Sequence, residues 1–297
     1  MISILIPAYN FDVRRLVEVL YHQVSGQGVK YEIIVIEDGS VFFVNENQSI
    51  RQFPCCRHVI LESNIGRAAI RNKLADEAQY NQLLFLDCDS MVAHPDFISR
   101  YLAFCRDEFI VLGGRIYDLQ NKDPRYSLIR KYGVARERND LKNEERHRKY
   151  PMFTTPNFLI PKSKFNRIRF DEKIEGYGHE DTLFGIKLKA LGVEYLFIDN
   201  PVVHIGLEEN LVFLAKTRKA VSNLYQLYMN DHQALAGESA LLAFFLRLKQ
   251  WRLVGLSAFI YKIFSVFLEK LLCLKNPSLL LYDVYKLGWL CTIAKKK

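Results

Sequence analysis

The sequence contains no pair of cysteines at the two-residue spacing that zinc and redox motifs use. Its six cysteines, Cys55, Cys56, Cys88, Cys105, Cys273 and Cys291, are therefore expected to be small packing residues. The chain does not open on a basic segment, an apolar core and a small-residue cleavage site, so no secretory signal is expected and the thiols should stay reduced. Internal repeats and low-complexity tracts are absent. No apolar run is long enough to cross a bilayer, because the most apolar segment, "LVGLSAFIYKIFSVFLEKLL" (253–272), carries Lys262 at its middle. The first 240 residues also lack any net charge. The excess of +8 sits wholly in 241–297, where ten Lys and Arg face two acids. That distribution argues against a nucleic-acid-binding body and for an anionic partner of the tail alone.

With 297 residues, 49% of them hydrophobic, the chain can bury a large core. Its first 115 residues alternate in the manner of β-α-β units. "ISILIPA", "YEIIVIEDGS", "HVILES", "QLLFLDCDS" and "FIVLGGRIY" read as strands. "DVRRLVEVLYHQV", "GRAAIRNKLADEAQ" and "HPDFISRYLAFCRD" read as helices between them. This predicts an α/β fold with a mainly parallel sheet flanked by helices, with ligands at the carboxyl ends of its strands. Residues 118–150 are highly charged and offer few core positions, which suits either a solvated surface excursion or a mobile lid. A strand-like "TTPNFLIPKSKF", a helix after His179, the segment "VEYLFIDNPVVHIG" and a helix over "ENLVFLAKTRKAVSNLYQLYMND" complete the body. In the tail, Leu253, Leu256, Phe259, Ile260, Ile263, Phe264, Phe267 and Leu271 recur at helical spacing. Such an amphipathic helix either packs on the body or lies in a membrane interface with its cations on anionic headgroups. The coincidence of cations, aromatics and apolar bulk favours the second.

The stretch "LLFLDCDSMV" (83–92) carries the first chemical signal. An apolar run stops at Asp87-Cys88-Asp89, and side chains two apart on an extended backbone point the same way. Two such carboxylates suit a hard divalent ion, which commonly sits between carboxylates and substrate phosphates. Other segments reach the same rim: "IPAYN" (6–10), "IEDGS" (36–40) and "NIGRAAIRN" (64–72), whose Arg67 and Arg71 share a helix face. Together they offer a Pro-shaped loop, an acid and cations, enough for a base, a ribose and a diphosphate.

These segments with "GYGHED" (176–181), in this order and at these intervals, resemble the inverting GT-A glycosyltransferases of family 2, in their bacterial form. The resemblance covers residues 1–225 and implies a Rossmann-like sheet: a nucleotide-binding half (1–115), an acceptor and catalytic half (116–225), then a helical, basic tail (226–297). It implies a nucleotide-sugar donor, with a UDP-sugar expected, lying against Pro7, Ala8, Tyr9, Arg67, Arg71 and Asp87. Asp38 would meet the base's N–H, with Glu37 the other candidate acid. Asp87 and Asp89 would hold Mn²⁺ or Mg²⁺, and His204 is either a further ligand or a structural residue. "GYGHED" matches the family's G-x-G-x-E-D segment. Asp181 is the expected base and Glu180 the partner of the acceptor, or the two exchange roles. Tyr177 replaces the usual Trp and can stack on a sugar. Gly178, His179 and Asn157 are the other acceptor-side candidates, His179 being equally a turn residue.

The implied acceptor is a glycan or lipid-linked oligosaccharide of a bacterial surface polysaccharide, met by an enzyme peripheral on the cytoplasmic face of the plasma membrane. Two other classes fit less well. A sugar nucleotidyltransferase needs a Gly-rich basic loop after the first strand, and "IPAYNFDVRR" has no Gly. A non-catalytic nucleotide-sugar-binding or membrane scaffold protein would have no need of both the paired aspartates and the Glu-Asp pair.

Overall fold

A computed structural model of the chain describes residues 1–105, 109–118, 120, 122–145, 153–174, 176, 178–230, 237 and 239–295. It forms two compact units. The first comprises Met1–Asp118, Glu137–Ile174 and Glu180–Gly206, and the second Leu119–Arg136, Glu175–His179 and Leu207–Lys297. The division expected at 225/226 falls inside the helix Asn210–Met229.

In the first unit the apolar runs become strands β1 (Ile2–Ala8), β2 (Tyr31–Glu37), β3 (Cys56–Ile60) and β4 (Gln82–Leu86). Helices α1 (Arg14–Ser25), α2 (Val44–Asn47) and α3 (Arg67–Glu77) lie between them in the chain. There follow β5 (Ser90–Val92), α4 (Phe97–Leu102), β6 (Ile110–Leu112) and β7 (Arg115–Tyr117). Helix α5 (Ser127–Glu145) begins in the second unit and ends in the first, and β8 (Asn157–Pro161), α6 (Lys162–Ile168), α7 (Glu180–Ala190), β9 (Tyr195–Phe197) and β10 (Val202–His204) complete the unit. The main sheet runs β3-β2-β1-β4-β8-β6-β9. Its β1–β4 pairings and the β6–β9 pairing are parallel, whereas β8 is antiparallel to both neighbours. A small sheet of order β5-β10-β7 joins the segment after the paired aspartates to His204.

Side-chain alternation builds two cores. Ile2, Ile4 and Ile6 of β1 pack with Leu16, Val17 and Leu20 of α1, while Leu5 packs with Ile70 and Leu74 of α3 on the opposite face. Both faces of β1 and β2 are covered, which is why these strands are continuous apolar runs.

Two expectations are corrected. "FIVLGGRIY" is not one strand: the chain breaks at Gly113-Gly114, so β6 and β7 enter different sheets. A side chain at Gly113 would collide with the Tyr101 hydroxyl, the Asn157 amide and the Asn200 carbonyl. Residues 127–145 are also not an irregular excursion but the helix α5, whose Leu128 and Ile129 are buried in the second unit. Its dense charge masks the few apolar positions that anchor it.

The second unit adds α8 (Asn210–Met229), α9 (Ala240–Gln250), α10 (Val254–Leu272) and α11 (Leu279–Lys295). Its core joins Leu128 and Ile129 to Phe213, Leu214, Tyr261, Leu272, Tyr282 and Tyr285. Gly288 lets α11 approach α10, since any β-carbon there would overlap the Tyr261 ring. G288A should therefore lower the unfolding free energy by about 1–3 kcal/mol, despite the helix propensity it adds. Urea denaturation measures this, and an unchanged or raised midpoint would contradict the close approach.

Candidate active site

The carboxyl ends of β1, β2 and β4 bring the sequence-predicted residues to one edge of the sheet. Asp87 follows β4 and accepts a hydrogen bond from Arg71 Nη2 at 2.6 Å. Arg71 is 2% exposed on α3. Its other terminal nitrogen lies 3.7 Å from Glu180 Oε1, and Arg67 approaches the same oxygen at 3.6 Å. Arg71 also donates to Thr155 Oγ1 at 3.4 Å and stacks over Phe170. Asp87, Arg71, Glu180 and Arg67 thus form an alternating chain of charge. The arginines sit four apart, so one helix face presents both.

Glu180 is buried and opens α7. Burial and the neighbouring Asp181 charge push its carboxyl up, against the opposing pull of Arg67 and Arg71. Asp181 is the more accessible of the pair. Its Oδ1 accepts from the Thr182 amide at 2.7 Å, in the first turn where helix amides attract a carboxylate. Gly178 and His179, both at positive φ, belong to the second unit, where Gly178 packs against Ala220 of α8. Tyr177 lies outside the described residues.

Asp89 stands apart from this chain. Its Oδ2 is 3.6 Å from His204 Nδ1 on β10, and its carbonyl accepts from Ile205 N at 2.9 Å. Gly206 passes so close that a side chain there would strike Asp89. Burial would raise the Asp89 carboxyl, but His204 and the charges of Arg67 and Arg115 outweigh it and hold it below the usual range. His204 Nδ1 is buried without a hydrogen-bond partner. Two ligands about 2.1 Å from one ion and at right angles lie about 3 Å apart; Asp89 and this orphaned nitrogen, 3.6 Å apart, would hold a divalent cation together after closing by about half an ångström. Asp87 is engaged by Arg71. Among the described residues no set of three His, Cys, Asp or Glu side chains is already gathered around one point. Burial and the flanking aspartates push the Cys88 thiol up, consistent with a packing role.

The acids at the end of β2 are engaged by partners within the protein. Asp38 is 5% exposed and accepts from the Ile65 and Gly66 amides at 2.7 and 3.1 Å, holding the loop that enters α3. Burial raises its carboxyl against those two bonds. Glu37 is fully buried. It accepts from Ser40 Oγ (2.5 Å) and Asn47 Nδ2 (2.7 Å), with His58 Nε2 at 3.2 Å. Ser40 in turn accepts from the Asn10 amide, and Asn10 Oδ1 accepts from the Val41 and Phe42 amides. The loops after β1 and β2 are thereby tied together by residues that sequence reasoning missed. Only the strand-to-loop position of Asn10 and Ser40 hinted at them. Of Pro7, Ala8 and Tyr9, Ala8 is buried and its carbonyl accepts from Asp38 N, whereas Tyr9 is exposed. Asn157 accepts from the Tyr101 hydroxyl at 2.5 Å and donates to the Asn200 carbonyl at 2.7 Å.

Burial raises the Glu37 carboxyl, but the His58, Ser40 and Asn47 contacts outweigh it, so its pKa is lowered in the fold. The corresponding stability is present above the ordinary carboxylate range and lost as pH falls through the lowered value. E37Q should cost about 1–3 kcal/mol at neutral pH. The gap from wild type should narrow as urea titrations approach about pH 3; a gap that stays constant or widens contradicts the arrangement.

Comparisons with known proteins agree with this fold. The mannosyltransferase PcManGT from Pyrobaculum calidifontis, in complex with GDP-Man and Mn²⁺, superposes with a TM-score of 0.60 at 13% identity, covering 99% of this chain and 86% of that one. S. aureus TarS 1–349 in complex with UDP gives a TM-score of 0.47 at 18% identity over 75% of this chain and 65% of that one. A longer TarS chain is covered over 39% of its length. No curated protein sequence matches the chain significantly. The glycosyl transferase family 2 model matches residues 3–169, more than half of the chain, and the chain belongs to that family of glycosyltransferases.

Proposed function

We propose that the protein transfers a sugar from a nucleotide-sugar to a hydroxyl of a glycan or lipid-linked oligosaccharide, with inversion at the anomeric carbon. The observation that carries this reading is that the Asp87–Arg71–Glu180–Arg67 chain, with Asp181 next to Glu180, and the Asp89–His204 pair each include an aspartate of the segment that leaves the carboxyl end of β4. The family match supports a glycosyltransferase domain. The fold shared with PcManGT, which is complexed with GDP-Man and Mn²⁺, supports a nucleotide-sugar donor.

A sugar hydroxyl is a poor nucleophile, so a carboxylate must take its proton as it attacks. Asp181 is assigned that role, being more accessible than Glu180. The proton passes to Asp181, the acceptor oxygen bonds to the anomeric carbon, and the bond to the diphosphate breaks with its electrons leaving on the nucleoside diphosphate. Glu180, held by Arg67 and Arg71, positions Asp181 and orients the acceptor. Arg67, with its partly exposed guanidinium, and Tyr9 are the donor-side contacts. Asp89 and His204, with Asp87 if it releases Arg71, are the residues that would hold Mn²⁺ or Mg²⁺. The ion would offset the charge developing on the leaving diphosphate.

A UDP-sugar is the expected donor, with GDP-sugars assayed beside it. The expected acceptor belongs to a bacterial surface polysaccharide, met at the cytoplasmic face of the plasma membrane. The competing reading is a binding or scaffold protein, and the buried, charge-balanced Glu180 beside an accessible Asp181 favours the enzyme. Donor hydrolysis without acceptor, assayed over a panel of nucleotide-sugars, separates the two. D181N should lower transfer about 10²–10⁴-fold while nucleotide affinity stays within twofold of wild type. Undiminished transfer by D181N would overturn the base assignment, and no turnover with any donor would favour the scaffold.

A further inference from the structure

Helix α10 is apolar on two opposite faces. One face, with Ala258, Tyr261 and Leu272, is buried within the second unit, where Tyr261 meets Gly288 of α11. The other face carries Leu256, Phe259, Ile260, Ile263, Phe264 and Phe267. All six are exposed, Phe259 at 60% and Phe267 at 58%. At about 100° per residue these six span an arc of roughly 140°, and along the helix axis they extend over about 17 Å. A soluble monomer rarely leaves so large a contiguous apolar strip uncovered.

The charge around this strip has one sign. Lys262 flanks it, Lys270 lies near its carboxyl end, and Lys249, Arg252 and Lys275 lie beyond the two ends of the helix, all exposed. The two acids of residues 241–297 are neutralised locally. Glu269 accepts from Arg218 at 2.7 Å and from the Tyr285 hydroxyl at 2.9 Å, and Asp283 pairs with Lys286 at 2.7 Å. Trp251, 60% exposed, stands where α9 turns by 117° into α10. Tryptophan favours the headgroup level of a bilayer. Among the described residues no single helix is long and apolar enough to cross a membrane, and Lys262 at mid-helix suits a helix lying in the surface plane, from which long cationic side chains reach the headgroups.

We infer that the outward face of α10 docks on an anionic lipid bilayer, with Phe259, Ile263 and Phe267 in the acyl boundary and Lys262 and Lys270 on lipid phosphates. This deepens the proposed use of a membrane-held acceptor, and its test reads binding alone, so it stands or falls separately from catalysis. The occupant is assigned from charge: a second copy of this chain would set the same cations against one another, whereas an anionic lipid surface complements them.

Flotation of the full chain with vesicles of phosphatidylcholine, or of phosphatidylcholine and phosphatidylglycerol in equal parts, tests the inference. Wild type should float with the anionic vesicles, be released by salt, and stay in solution with phosphatidylcholine alone. K262Q/K270Q should weaken partitioning about fivefold for each cation removed. F259S/F267S should abolish it while thermal unfolding and donor hydrolysis remain as in wild type. Failure to float, equal binding to both vesicle types, or undiminished binding of both variants would overturn the inference. So would a concentration-dependent dimer in sedimentation that F259S/F267S dissolves, because a second copy would then cover the face.

Discussion

A carboxylate at the end of a buried strand needs a cationic partner, and Asp87 has one in Arg71, 2.6 Å away. Arg71 is itself almost wholly buried, and removing one member of such a pair typically costs about 3–5 kcal/mol, because the other charge is left uncompensated. That constraint reaches further than the pair. Arg71 holds α3 against the end of β4 and approaches Glu180, so the start of α7 is placed by the same guanidinium. Arg67 completes the balance from one turn earlier on α3. Asp181, more accessible than Glu180, is therefore presented beside a fixed electrostatic frame.

A second frame holds the loops after β1 and β2. Glu37 gathers Ser40, Asn47 and His58, and Asn47 Oδ1 in turn accepts from the Val13 amide at the start of α1. The loops after β1 and β2 are thus fixed by a polar network with its carboxylate at zero exposure. Such a network is costly if half satisfied and rigid when complete. Preorganised loops of this kind lower the ordering cost of binding a flexible, charged ligand.

Much of this was legible in the sequence. The continuous apolar runs of β1, β2 and β4 announced a sheet covered on both faces, and the acids after β4 and at the start of α7 marked the charged cluster that the structure shows there. Less legible were features set by long-range contacts. The internal partners of Asp38 and Asn157, the Ile65 and Gly66 amides and Tyr101 and Asn200, lie far away in sequence and leave no local mark. Glu37 and His58 are 21 residues apart, and nothing local marks them as partners. Helix α5 was hidden because its charges swamp the apolar period, with Leu128 and Ile129 as its buried anchors. The break between β6 and β7 follows from a close approach at Gly113 that hydrophobicity does not encode.

The central claim is that the carboxyl edge of the sheet binds a nucleoside diphosphate through Asp89 and His204 with a divalent ion, beside the arginine-balanced acids. Calorimetric titration of wild type and D89A with UDP and with GDP, each with and without Mn²⁺, tests it most directly. The account predicts that Mn²⁺ tightens binding of one nucleotide to wild type at least tenfold and leaves D89A unchanged. Equal affinity with and without the metal for both nucleotides, or an undiminished metal effect in D89A, would contradict it.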